Sequence, residues 1–163
     1  MSKKDTKTAV HALVTPHLDY GNALLYGVNK KFLDKLQIAQ NSAARLVERL
    51  RKYDRITQVR KELHWLPVQA RIKFKILNTT WKALHDESPK YIQDLLTHSV
   101  SDFNLRSNHQ NIPMSSTKYG DWAFSYIATL LWNNLSYHLS VNKNEVFRNK
   151  LKTHLFQESY LNP

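Results

Sequence analysis

The side chains of this sequence that could do chemistry are eight histidines and a concentration of lysine and arginine. His11, His17, His64, His85, His98, His109, His138 and His154 never stand at metal-holding spacings such as H-E-x-x-H or H-x-H. They are expected to be structural or surface residues. His85, followed by Asp86 and Glu87, falls at an expected helix end, where a cation is favourable on electrostatic grounds. The cations, by contrast, are patterned. Lys31, Lys35, Ile38, Ser42, Arg45, Arg49 and Lys52 recur at helical spacing along one edge of a cylinder, and five of those seven are basic. Arg71, Lys75, Asn78 and Lys82 repeat the arrangement further on, while Lys73 falls in an apolar arc where its stem can pack and its ammonium reach water. Between the two rows runs Arg49-Leu50-Arg51-Lys52-Tyr53-Asp54-Arg55. Guanidinium groups bridge phosphates through paired hydrogen bonds, and a tyrosine ring stacks on an unpaired base. The expected site is therefore an electrostatic track made of Lys31, Lys35, Arg45, Arg49, Arg51, Lys52, Tyr53, Arg55, Arg71, Lys75 and Lys82.

The elements that must position these cations are helical. Val10, Leu13 and Val14 form a one-sided patch on a short helix, and Thr15-Pro16 has the form of an N-cap and a first-turn proline opening a helix to about Leu25, closed by Gly27. Phe32, Leu36, Ala39, Ala43, Leu46 and Leu50 alternate spacings of four and three, the stripe of a helix of about 20 residues, with Leu33, Gln40 and Val47 on its flank. After a break at Tyr53 and Asp54, a short helix runs from about Ile56 to Leu63. His64 to Pro67 then sets the entry of a helix with Ala70, Phe74, Leu77, Trp81 and Leu84 on its apolar face. Ser88-Pro89 opens another helix, with Tyr91, Ile92, Leu95 and Leu96 as its buried face. The pattern dissolves from Thr97 to Thr117, apart from a short extended piece at Ile112 and Met114. From about Tyr119 to Leu135 it is apolar on nearly every face, as in a helix at the centre of a core. Asn142 with Glu145 has the spacing of a capping box before a last helix that buries Val146, Phe147, Leu151 and Leu155. Trp65, Trp81, Trp122 and Trp132 all lie on or beside apolar stripes and are expected to pack in the core.

These patterns predict an all-α fold: one irregular domain of about six to eight helices. It comprises a basic part over 1–96, an irregular connection over 97–117, and an apolar helix plus a C-terminal helix over 118–163. A chain of 163 residues suits one sizeable core. Its three glycines, Gly21, Gly27 and Gly120, are isolated, so no Gly-rich phosphate loop is present and a hairpin-rich β fold is disfavoured. The absence of cysteine excludes disulfides, cysteine-ligated zinc and thiol nucleophiles, and no hydroxyl stands in a G-x-S-x-G context. Tyr119-Gly120-Asp121-Trp122 has the outline of a Tyr-x-Asp-Asp turn, but Trp122 replaces the second carboxylate. Two-metal catalysis needs several clustered carboxylates holding cations about 4 Å apart, which Asp121 alone does not supply. No catalytic residue, metal or cofactor is expected. Nor is a membrane-spanning helix or a secretory signal, and an intracellular location, nuclear or cytoplasmic, fits. The formal charge of +11 is localised: residues 1–82 hold 17 Lys+Arg against 6 Asp+Glu, and residues 83–163 hold 7 against 7. Such a surface points to a polyanionic partner bound with strong salt dependence and little sequence preference.

The motifs also resemble, over nearly the whole chain from about Asp5 to Phe156, the C-terminal part of reverse transcriptases of non-LTR retrotransposons, the jockey-like LINE elements. The matching strings are VHALVTPHLDYGNALLYG from Val10, LQIAQNSAARLV from Leu36, RKYDRIT from Arg51, LHWLPVQARIKFKIL from Leu63 and KALH from Lys82. They continue, in the same order, with LRS from Leu105, KYGDWAFS from Lys118, LWNNL from Leu131 and LKTHLF from Leu151. The resemblance implies a thumb and the helical segment after it, following fingers and a palm whose metal-binding aspartates lie upstream. The parent activity it implies is reverse transcription primed from nicked target DNA, in which this region supplies only the holding of RNA or an RNA–DNA duplex. Departures are Gly21, where the family often has cysteine, Thr129 and Ser136 in place of prolines, and Met114, Ser116 and Trp122 in place of basic residues. The last three weaken nucleic-acid contact by the second half. The expected function is that of a non-catalytic fragment of such a polymerase with a basic surface. The alternative from another class is a helical protein-interaction module or the remnant of a decayed element, since alanines at 39, 43 and 44 allow a second helix to approach closely.

Overall fold

A computed structural model describes residues 2–97, 123–135 and 143–161 of the chain. Among the described residues the fold is all-α, without strands: α1 (Lys3–Leu13), α2 (Thr15–Asp19), a 3₁₀ turn (Asn22–Leu25), α3 (Lys30–Glu48), α4 (Ile56–Glu62), α5 (Val68–Leu84), α6 (Lys90–Thr97), α7 (Phe124–Asn133) and α8 (Asn144–Tyr160). The expected irregular stretch beyond Thr97, with Ile112 and Met114, lies outside the described residues, as do Trp122 and the expected cap Asn142. The chain falls into two compact units, residues 1–72 with 153–163 and residues 73–152, so that the divisions lie within α5 and α8.

In the first unit, Ser2 and Asp5 form a reciprocal capping box on α1: the Asp5 N–H donates to Ser2 Oγ at 3.2 Å and the Ser2 N–H to Asp5 Oδ2 at 3.0 Å. These hydrogen bonds, the side-chain one first, hold the Asp5 carboxyl below its ordinary pKa. Val10 of α1, Ala43, Ala44 and Val47 of α3, and Val59, Leu63 and Trp65 around α4 make a buried cluster. Small side chains at 43 and 44 let α1 and α4 close on α3, so two of the three alanines serve packing within the unit. The Tyr160 hydroxyl of α8 donates to the Trp65 carbonyl at 2.6 Å. Burial pushes its phenol pKa above the ordinary value, offset in part by the charge of Arg60.

Four local expectations are corrected. The core-facing side of α3 is turned toward Leu33, Gln40, Ala43, Ala44 and Val47, leaving Phe32, Ala39 and Leu46 exposed. The reason is a hydrogen-bond network that an apolar stripe does not reveal. Gln40, 1% exposed, donates from Nε2 to the Leu66 carbonyl at 2.8 Å, and Gln37 Oε1 accepts the Val68 N–H at 3.0 Å, capping α5. Thr15 does not cap α2, which ends at Asp19. The N-cap is Val14, and Thr15 Oγ1 lies 3.3 Å from His11 Nδ1. Ser88 Oγ is buried with no hydrogen-bond partner among the described residues and so does not cap α6. Of the expected buried faces, Leu13, Leu84, Tyr91, Leu95 and Val146 are exposed, Leu13 and Leu84 being the last residues of α1 and α5.

In the second unit, α6 packs with α7, and Ile76, Leu77, Trp81, Leu96, Ile127, Ala128, Phe147 and Leu151 are buried. Trp81 stacks on His85 (3.9 Å between ring centroids) and on Phe147 (5.7 Å), and Trp132 lies 5.9 Å from Phe147. Trp81 and Trp65 are thus core residues as expected, and Trp132 is half-buried.

Scarcity of glycine leaves a trace at the helix ends. Arg49, His64 and Asp86 adopt the left-handed conformation, with φ of 54°, 55° and 58°, where a glycine is usual. Each permits a closing bond from the next residue back across the last turn: Leu50 N–H to Arg45 O at 3.0 Å, Trp65 N–H to Arg60 O at 2.9 Å, and Glu87 N–H to Lys82 O at 2.8 Å. That is how His64 to Pro67 sets the entry into α5.

Candidate nucleic-acid interface

Eight of the eleven expected site residues belong to the first unit's α3 and the turn that follows it. Lys31 and Lys35 stand exposed on the N-terminal half of α3, and Arg45 is half-buried with no hydrogen-bond partner for its Nε among the described residues. Arg49 ends the helix in the strained left-handed conformation, which turns the chain sharply into the basic segment.

That segment is a tight turn. The Asp54 N–H donates to the Arg51 carbonyl at 3.2 Å, and the Arg51 N–H donates to Asp54 Oδ2 at 2.6 Å. The one carboxylate of the segment is thereby drawn onto the backbone. The turn carries Arg51, Lys52, Tyr53 and Asp54 outward, with Arg55 next, all exposed. Tyr53 is 90% exposed at the tip, its ring 6.0 Å from Lys52 Nζ. A ring in water with cations on both sides in sequence can stack on a base while guanidinium and ammonium groups meet the flanking phosphates.

The remaining three residues are placed differently. Arg71, in the first unit, is half-buried and grips Asp19 through two parallel hydrogen bonds, Nε to Oδ1 at 2.8 Å and Nη2 to Oδ2 at 2.5 Å. Its charge is matched within the fold, and its role there is to join the end of α2 to α5. Lys75 (exposed) and Lys82 (half-buried) lie on the part of α5 that belongs to the second unit, and Lys73 is half-buried there. The interface described here is therefore Lys31, Lys35, Arg45, Arg49, Arg51, Lys52, Tyr53 and Arg55.

Sequence reasoning missed two features. The Asp19–Arg71 pair spans 52 positions, and no local pattern announces it. The exposure of Phe32 and Leu46 beside the cations of α3 was hidden because large apolar residues at helical spacing read as core; Ile38, in the cation row, is exposed as well. Among the described residues no group of three or more His, Asp or Glu could hold a metal ion, and no helix is long and apolar enough to cross a membrane. The chain matches no protein-family model, no curated protein and no solved structure.

Proposed function

We propose that this chain is a non-catalytic C-terminal fragment of a non-LTR retrotransposon RNA-directed DNA polymerase, thumb-like, whose basic surface holds RNA or an RNA–DNA backbone. The observation that carries the reading is the turn after α3. Tyr53 stands 90% exposed between Lys52 and Arg55, with Arg51 outward and Asp54 occupied by the backbone. The motif resemblance supports the parentage, and the excess of cations in residues 1–82 supports the polyanion. Contacts of this kind are made to phosphate and to base faces, so binding is salt-sensitive and weakly selective for sequence.

The test is fluorescence anisotropy of a labelled RNA hairpin with a single-stranded arm, titrated with the chain over a salt series. The expected outcome is binding at low salt that weakens steeply as salt rises. Replacing Arg51, Lys52 and Arg55 by alanine should flatten the log–log salt dependence by about 2 to 3, since each phosphate contact contributes roughly 0.7–0.9. Tyr53→Ala should weaken binding without changing that slope. Absence of binding at low salt, or an unaltered triple variant, would overturn the proposal.

A further inference from the structure

α3 carries an exposed row whose apolar members, Phe32, Ala39 and Leu46, the polyanion reading does not use. Phe32, Lys35, Ala39, Ser42, Leu46 and Arg49 follow one another at spacings of three and four, and every one of them is exposed. Phe32 is 58% exposed and Leu46 61%, and Ile38, 62% exposed, stands beside the row. From Phe32 to Leu46 the row runs about 21 Å along the helix at 1.5 Å per residue. Single exposed apolar residues are ordinary on a protein surface; here Phe32, Ala39 and Leu46 recur every seven residues along one face, with Ile38 beside them and cations interleaved, and that pattern marks a docking face. The cationic rim of these apolar residues is Lys31 and Arg45 beside the row with Lys35 and Arg49 in it, all four shared with the nucleic-acid interface, and Lys35 Nζ lies 5.7 Å from the Phe32 ring. The two carboxylates of α3, Asp34 and Glu48, are off the row, and Glu48 is paired with Lys3.

Three kinds of occupant differ in what they would satisfy. A phosphate backbone answers the cations but leaves Ile38 and Leu46, which cannot stack on bases as rings do, against water. A second copy of the chain would answer the apolar residues but set the same four cations against each other. An amphipathic helix with acidic flanks answers both. Its apolar residues can straddle Ala39, which lies seven residues from each of Phe32 and Leu46 and lets a second backbone approach, while its carboxylates meet the rim.

We propose that the outward row of α3 is a docking face for an acidic amphipathic helix of a partner protein. The probe is an 18-residue helical peptide with leucines at three-four spacing and glutamates on both flanks, set against a scrambled peptide of the same composition. Both are titrated into the full chain by fluorescence anisotropy. The patterned peptide should bind at least tenfold more tightly than the scrambled one. Phe32→Ser with Leu46→Ser, and separately Ala39→Glu, should each weaken it at least tenfold with thermal unfolding unchanged, because all three side chains are exposed. Equal binding of the two peptides, or full binding by both variants, overturns the proposal. So does loss of RNA-hairpin affinity by the same factor in the double variant, which would make the row part of a nucleic-acid track. A dimer in sedimentation that the double variant disperses would assign the face to a second copy instead.

Discussion

In the second unit Trp81 is 1% exposed and stacked between His85 and Phe147, whereas in the first unit Phe32, Ile38, Leu46 and Tyr53 all face water. Phe32 and Leu46 read in sequence like Trp81, as bulky apolar residues at helical spacing, whereas Ile38 falls in the cation row and Tyr53 at a break. The difference is what each helix meets on its other side. α5 and α8 contribute Trp81 and Phe147 to one stacked column, so those rings are enclosed. Among the described residues α3 meets α1 and α4 on its Ala43–Ala44 side, where Gln40 also turns inward to its carbonyl partner. A helix partnered on one side leaves its second apolar row in solvent, and the cations that recur with that row are the ground for proposing it as a surface for recognition. Hydrophobicity thus builds the core in the second unit and is partly left for contact in the first.

Four measurements would break or sharpen that contrast. The largest effect is expected in the second unit: Trp81→Ala should cost about 3–5 kcal/mol, because it empties a closed aromatic site. Hydrogen exchange should then show lost protection at Ile76 and Ile127 with Val47 retained; equal loss at all three would mean that both units unfold as one. Next, Gln40→Leu should destabilise the first unit by about 1–3 kcal/mol, since the Leu66 carbonyl loses its buried donor. A neutral outcome in denaturant unfolding would remove the reason given for the turned face of α3.

A smaller effect of opposite sign is expected at the helix end. Arg49→Gly should stabilise the fold by about 0.5–1 kcal/mol by relieving the left-handed strain while weakening RNA binding. Stability and affinity moving in the same direction would refute the placing of Arg49 in the interface. The smallest effect is in pH dependence. The folded Tyr160 phenol has its pKa raised above 10.0, so the unfolded chain loses this proton first. Its contribution is fully present below that value and is lost as pH rises through the folded pKa. Thermal unfolding between pH 8 and 11 should show a decline that Tyr160→Phe removes; an identical decline in the variant would assign it elsewhere.

How much was legible depended on the range of the interaction. α3, α4 and α5 were readable because a three-four repeat encodes a helix locally, and their bounds fall within about two residues of expectation. Thr15 and Ser88 looked like caps by type, but capping is a matter of where the oxygen points. Asp19–Arg71 and Gln40–Leu66 join residues 52 and 26 positions apart and leave no mark in any local window. For the site, the cations and Tyr53 could be named from the sequence. That Arg71 is matched by Asp19, that Asp54 is held to the backbone, and that Tyr53 stands at a tip are all set by contacts.

The sequence by itself determined an all-α chain, the helices that carry the cations, and the concentration of positive charge before residue 83, since helix periodicity and formal charge are properties of neighbouring residues. Only the tertiary structure decided which row of α3 is core and which is surface. An amphipathic repeat says that a helix has a side to hide, and the choice belongs to the helices that approach and to the buried polar groups that must be satisfied when they do.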